Sequence, residues 1–183
     1  MLFRSYLETR YAIEETHKDV LKLLPKITAE FAKVFGRTYN GLVEEYKVKD
    51  AEKVIVAMGS VCGTIKEVID EMRVKGKKVG LLKITSFRPF PAQEIYEALK
   101  GVPKVAVLDK SVSLGSIPPV ASEVKAAFCG KKKKPQVISS FVAGLGGRDI
   151  TKDSVKEMYR LLTTKELTGE FIDLKPELLK EKY

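Results

Sequence analysis

The spacing of apolar residues changes character partway along the chain. Tyr6, Leu7, Tyr11, Val20, Leu23 and Leu24 recur every three or four residues, and the pattern resumes past Pro25 as Ile27, Phe31, Val34 and Phe35. That period predicts amphipathic helix, with Gly36 placed to cap it in the left-handed conformation. Pro25 has no N–H and crowds the turn before it, so the sequence predicts a kink there or a second helix start. The segment holds a long apolar stripe and no chemistry, which makes it a connector in need of something to pack against.

After Gly36-Arg37-Thr38-Tyr39-Asn40-Gly41 the period shortens. Leu42, Val43, Tyr46 and Val48 give a weak strand signal suited to a sheet edge. Continuous apolar runs then alternate with helical stripes. Val54 to Met58, Val79 to Ile84, Val105 to Leu108 and Val137 to Val142 read as strands covered on both faces. Between them lie helices using Ile65, Val68, Ile69 and Met72, then Ile95, Ala98 and Leu99, then Val120, Val124, Ala127 and Phe128. Val155, Met158, Tyr159 and Leu162 follow Thr151 as a last helix. Thr64 and Glu67 have the spacing of a capping box and predict a helix start at Thr64. Four strand–helix repeats imply a mostly parallel sheet with right-handed crossovers. The expected fold is a three-layer α/β/α domain with about five strands. Residues 1–41 form the helical connector, 42–163 the α/β domain and 164–183 a polar surface tail.

Composition narrows the class. The 183 residues are 44% hydrophobic and 31% charged, as a globular domain requires and a disordered chain does not. No apolar run approaches the ~20 residues that span a bilayer. The opening residues Met1-Leu-Phe-Arg-Ser-Tyr6 hold no extended apolar signal segment. Cys62 and Cys129 have no metal-binding spacing and fit a reducing cytoplasm. The net charge of +9 raises the question of nucleic acid. Much of it is scattered lysine plus the run Lys131-Lys132-Lys133-Lys134 before Pro135, which reads as a solvated loop, and no aromatic-rich nucleic-acid signature accompanies it.

Candidate chemistry sits at strand ends. Phe87-Arg88-Pro89-Phe90-Pro91 stops its strand abruptly, because proline cannot donate to a sheet ladder, and Pro91 fits the first turn of the next helix. Arg88 is thereby expected as a fixed cation at the carboxyl end of a central strand, where sites in open α/β sheets gather. Asp109, followed by Lys110 and Ser111, ends the next strand with no carboxylate placed to pair with it. Gly144-Leu145-Gly146-Gly147-Arg148-Asp149 joins a strand to a helix, where amides and the helix dipole favour an anion. It lacks the G-x-G-x-x-G dinucleotide spacing, so Gly144, Gly146, Gly147 and Arg148 are candidates for holding an anion or for a tight structural turn. Gly59-Ser60-Val61-Cys62-Gly63 is a second such turn, with Cys62 either activated near a helix start or small and buried. His17 is the only histidine and lies among charged residues of the connector, as an exposed side chain would. Ser-His-Asp and Cys-His chemistry would therefore depend on His17 alone. The residues supply no self-sufficient catalytic set.

The linked motifs Phe35-Gly-Arg-Thr-Tyr39, Val54-Ile-Val-Ala-Met-Gly-Ser60, Gly80-Leu-Leu-Lys-Ile-Thr-Ser-Phe-Arg-Pro-Phe-Pro91, Val107-Leu-Asp-Lys110 and Gly144-Leu-Gly-Gly-Arg-Asp149 resemble the alpha subunit of pyruvate:ferredoxin oxidoreductase. More narrowly, they resemble its transketolase C-terminal-like domain, in order from about residue 5 to 160. Lys110 stands where many relatives would be expected to carry arginine. The resemblance implies a multi-subunit enzyme that decarboxylates a 2-oxoacid on thiamine diphosphate with Mg²⁺, passes electrons through iron–sulfur clusters to ferredoxin, and transfers the acyl group to coenzyme A. It implies hetero-oligomeric partners, while composition leads to the expectation of a cytoplasmic setting with neither nucleic acid nor membrane as partner. This chain would follow the pyrimidine-binding domain, as a fragment or a separately encoded domain. Thiamine, cluster and catalytic ligands are not expected in it. Its role would be structure and assembly, with Arg88, Pro89, Phe90, Pro91, Asp109 and Arg148 anchoring loops or subunit contacts. Acid selection would lie elsewhere, so pyruvate and branched-chain 2-oxoacids both fit. A stand-alone module binding a phosphorylated metabolite and a nucleic-acid binder are the other classes.

Overall fold

The computed structural model describes residues 5–39 and 41–179. Residues 1–4, Asn40 and residues 180–183 lie outside it, and with them the reading of the first residues, part of the 36–41 turn and the end of the tail. Helix α1 (Tyr6–Phe35) continues through Pro25 as one element, so the second helix start that the sequence offered there as the alternative to a kink does not form. Gly36 caps it as expected, in the left-handed conformation at φ 64° with its N–H on the Ala32 carbonyl.

The body is a six-stranded sheet with β1 (Val43–Tyr46), β2 (Lys53–Met58), β3 (Val79–Ile84), β4 (Lys104–Asp109), β5 (Val137–Val142) and β6 (Glu170–Phe171). Their order is β1-β3-β2-β4-β5-β6, all parallel except β1, which runs antiparallel along β3 at the edge. The strand ending in Arg88 is therefore next to the edge; β2 and β4 form the middle. Helices α2 (Val61–Val74) and α5 (Lys152–Leu161) cover one face, and α3 (Ala92–Leu99) and α4 (Pro119–Ala126) cover the other.

Alternation explains the two cores. Side chains of a strand point to opposite faces in turn, so Ile55 and Ala57 join one cluster while Val54 and Val56 join the other. All four are fully buried, as a continuous apolar run demands. The sheet has one strand more than expected. Ser139 and Ser140, buried inside β5, accept hydrogen bonds from the N–H groups of Leu167 and Gly169 at 3.0 and 2.8 Å. These bonds draw residues 167–172 alongside β5, where β6 forms and Ile172 is buried. Part of the stretch expected as a surface tail thus completes the sheet. Two serines in an otherwise apolar strand were the available signal.

Helix starts also differ from expectation at one point. α2 begins at Val61, three residues before Thr64, so the Thr64–Glu67 pair lies within the helix and Glu67 reaches Lys152 on α5 at 2.8 Å. A capping box does exist at α5: Thr151 Oγ1 accepts the Ser154 N–H, and the Thr151 N–H donates to Ser154 Oγ.

Candidate site at the carboxyl ends of the strands

The sheet reverses its winding between β2 and β4. From β2 the chain crosses by α2 on one face to β3; from β4 it crosses by α4 on the other face to β5. Neighbouring strands whose connections leave in opposite directions open a crevice at their carboxyl ends. Here that crevice is a cleft of 290 Å³ lined by Ser60, Val61 and Thr64 after β2, Lys110 after β4, and Gly147, Arg148, Asp149 and Ile150 after β5.

The glycine loop takes its shape from a positional need. Gly144 lies at φ 73°, and a Cβ there would fall 2.9 Å from Lys110 Cε and 2.9 Å from Ile150 Cδ1. A side chain there would displace the lysine stem and the isoleucine that close over the loop, and the positive φ favours glycine as well. Gly146 and Gly147 continue in the same left-handed region, at φ 61° and 79°. Arg148 donates from Nη1 to the Asp173 carbonyl, which ties this loop to the segment leaving β6.

Asp109 serves a different end. It is buried at the end of β4 and accepts the N–H groups of Val120 at 2.9 Å and Ala121 at 3.1 Å. These are two of the otherwise unpartnered donors in the first turn of α4. Burial pushes its carboxyl above the usual range, and the two N–H groups oppose that rise. Asp109 is thus a tether between β4 and α4, turned away from the cleft that its neighbour Lys110 lines.

Arg88 stands apart from this cleft. Its Nη2 meets Glu123 Oε1 on α4 at 2.5 Å, its Nη1 donates to the Phe87 carbonyl at 2.8 Å, and its guanidinium lies 4.2 Å from the Phe87 ring centroid. Phe87 and Phe90 pack edge to face at 6.0 Å, and Pro91 occupies the cap position before α3. Arg88, Pro89, Phe90 and Glu123 face Arg10, Glu14, His17 and Leu21 of α1 across a second cleft of 430 Å³. His17 is exposed, with Nδ1 2.9 Å from the Ile13 carbonyl.

The cysteines separate by burial. Cys62 is buried in α2, and burial raises its thiol above the ordinary value, so it is a packing residue and not an activated nucleophile. Cys129 is exposed. Sequence reasoning singled out Arg88, Asp109 and the glycine loop, and the structure puts them in three places. It brings the loop together with Ser60, Thr64 and Lys110, a grouping set by strand order and therefore absent from any local motif.

These features define a doubly wound α/β domain with a polar cleft at its switch point and no complete catalytic constellation among the described residues. The chain belongs to the pyruvate:ferredoxin oxidoreductase core domain II family, whose model matches residues 51–155. It is 44% identical to pyruvate synthase subunit PorA of Methanothermobacter thermautotrophicus over 94% of this chain and 43% of that protein. It is 49% identical to pyruvate synthase subunit PorA of Methanocaldococcus jannaschii over 82% of this chain and 38% of that one. Ketoisovalerate oxidoreductase subunit VorA of Pyrococcus horikoshii is 38% identical over 82% of this chain and 38% of its own length. The chain thus spans about two fifths of the curated relatives it matches.

Iron–sulfur clusters and Mg²⁺, which the resemblance implies for the whole complex, each ask for particular ligands. An iron–sulfur cluster needs four ligands, chiefly thiolates, whereas this chain has two cysteines and one is buried. Among the described residues no three His, Cys, Asp or Glu side chains stand where they could hold a metal ion. No helix among them is long and apolar enough to cross a membrane.

Proposed function

We propose that this chain is the core domain II portion of the alpha-type subunit of a pyruvate:ferredoxin oxidoreductase, which oxidatively decarboxylates pyruvate to an acyl-CoA while reducing ferredoxin. The chain contributes architecture and subunit contacts, and the reacting groups belong to other parts of the assembly. The observation that carries this reading is the 44% identity to a pyruvate synthase subunit across 94% of the chain. The two unpaired cysteines suit a reducing cytoplasm. The exposed apolar side chains along α1, among them Leu7, Ile27 and Val34, suit a subunit that packs against others.

The similarity to a ketoisovalerate oxidoreductase subunit supports a second reading in which the acid is branched. One experiment addresses both. The native protein is purified from its source through an antibody to this chain, and its partners, mass and 2-oxoacid-dependent dye reduction are measured. Co-purifying iron–sulfur subunits with pyruvate as the preferred acid are expected. A preference for 2-oxoisovalerate would establish the second reading. A lone 20.4 kDa species would overturn both and favour a stand-alone binding module.

A further inference from the structure

The parallel register brings four strand starts into one row. Val79, Lys53, Lys104 and Val137 are successive partners across β3, β2, β4 and β5, so the loops that enter these strands meet at the amino end of the sheet. Residues 47–53, 73–78, 97–104 and 129–136 form that end, and they hold thirteen Lys and Arg against three carboxylates. This end alone exceeds the +9 of the whole chain, and the rest of the molecule is near neutral.

Structural duties use up only part of that charge. Helices α2 to α5 finish at this end, and each C-terminus carries about half a negative charge, so together they offset about two cations. Lys47, Arg73, Lys78 and Lys100 have carboxylate partners in Asp70, Asp50, Glu52 and Glu97. The other nine form no ion pair within 4.0 Å among the described residues. Crowding is felt at Lys53, which is partly buried and donates to the Tyr159 carbonyl at 2.7 Å. Its ammonium is held below the ordinary lysine value by burial first, then by repulsion from Lys104 and Lys77.

The shape of the patch selects its partner. β3 and β5 are separated by three inter-strand gaps of about 4.8 Å each, and the loops reach further, so the charge spreads over roughly 15 Å or more. A small anion would engage one corner of it. Twelve of the thirteen cations are lysines, point charges without the planar fork that arginine offers to phosphates. The part-exposed rings near this end are already engaged: Tyr96 lies under Lys100 and Lys131, and the Tyr46 hydroxyl binds Asp70, which leaves no platform for stacking a base. A broad lysine field suits electrostatic steering more than a tight apolar interface.

We infer that the amino end of the sheet is a docking surface for a separate acidic protein that binds reversibly, on the face opposite the switch-point cleft. The test uses the full chain with poly-L-glutamate as probe and a DNA duplex of equal nominal charge as comparison. A rim variant replaces Lys77, Lys131, Lys132, Lys133 and Lys134 with Gln. A control variant removes the same number of charges through Lys18→Gln, Lys22→Gln, Lys26→Gln, Lys33→Gln and Lys165→Gln. All the rim positions are exposed, and unchanged melting temperatures check that both variants fold. The expected result is roughly tenfold weaker poly-glutamate binding for the rim variant, less than about twofold change for the control, and a shallower salt dependence for the rim variant. Carbodiimide crosslinks should concentrate at the rim lysines. Equal losses in the two variants, crosslinks spread over all exposed lysines, or tighter binding of the duplex by the native chain would each overturn the inference.

Discussion

Single residues at the strand ends work as fasteners. Asp109 is the clearest case: one buried carboxylate accepts two N–H groups of α4 across eleven and twelve residues of sequence. A helix starting at Pro119 keeps Pro118 before it, whose side chain offers no acceptor, so the cap comes from the neighbouring strand. Asp109→Ala should therefore destabilise the fold by about 1–3 kcal/mol for each donor left without a partner. Chemical denaturation checks this, and a change below about 0.5 kcal/mol would show that water replaces the carboxylate without loss. The residue types at 109 and 110 were readable in advance as polar groups ending a strand. That one turns inward to a helix while the other lines a cleft follows from the alternating faces of β4 and the path of α4.

At the level of elements, close approach decides which glycines are fixed. In β3 a Cβ on Gly80 would stand 2.5 Å from the Lys47 carbonyl oxygen, where the end of β1 crosses over it. The Gly80 carbonyl also receives the buried Tyr159 hydroxyl of α5 at 2.9 Å. Glycine in a strand interior often marks such an approach of another backbone. Gly63, in α2, has nothing within 4 Å of its Cβ position. Gly80→Ala should thus cost about 1–3 kcal/mol by overpacking, whereas Gly63→Ala should gain roughly 0.5–1 kcal/mol through helix propensity. Thermal melts of the two variants test the pair: an unchanged or raised melting temperature for Gly80→Ala would contradict the reading of Gly80, and a lowered one for Gly63→Ala that of Gly63. The same comparison shows why the sequence named the wrong start for α2. Thr64 and Glu67 satisfy the local spacing, but burial of Val61 and Cys62 against the sheet extends the helix back to Ser60.

For the whole molecule, the described residues hold two buried cores, a polar cleft and a charged end, without a nucleophile, base and orienting group in mutual reach. The isolated chain should fold cooperatively, since both sheet faces are covered by its own helices. It should show no 2-oxoacid-dependent reduction of a dye acceptor, with or without thiamine diphosphate and Mg²⁺. Measurable turnover would mean that reacting groups lie within this chain after all. The α1 stripe gives a reason to expect partners: none of its residues is fully buried, and Leu7 and Val34 are 76% and 75% exposed. An amphipathic helix of 30 residues with much of its apolar side in water is poorly accounted for by the chain alone.

Much of the fold was written in the chain because its causes are local in sequence. Apolar runs of four to six residues, alternating with helical stripes and broken by Gly or Pro, demand a parallel sheet with helices on both faces, and that is the architecture found. The family relation was legible for the same reason, since its motifs are contiguous stretches at strand ends. What tertiary structure decided were the relations between distant segments. Strand order placed Ser60, Lys110 and Arg148 around one cleft and put Arg88 against α4 and α1. Hydrogen bonds accepted by two buried serines recruited β6 from a polar stretch with no strand signal of its own. Register gathered lysines from four separate loops onto one end, a field that no single segment reveals because charges add in space and not along the chain.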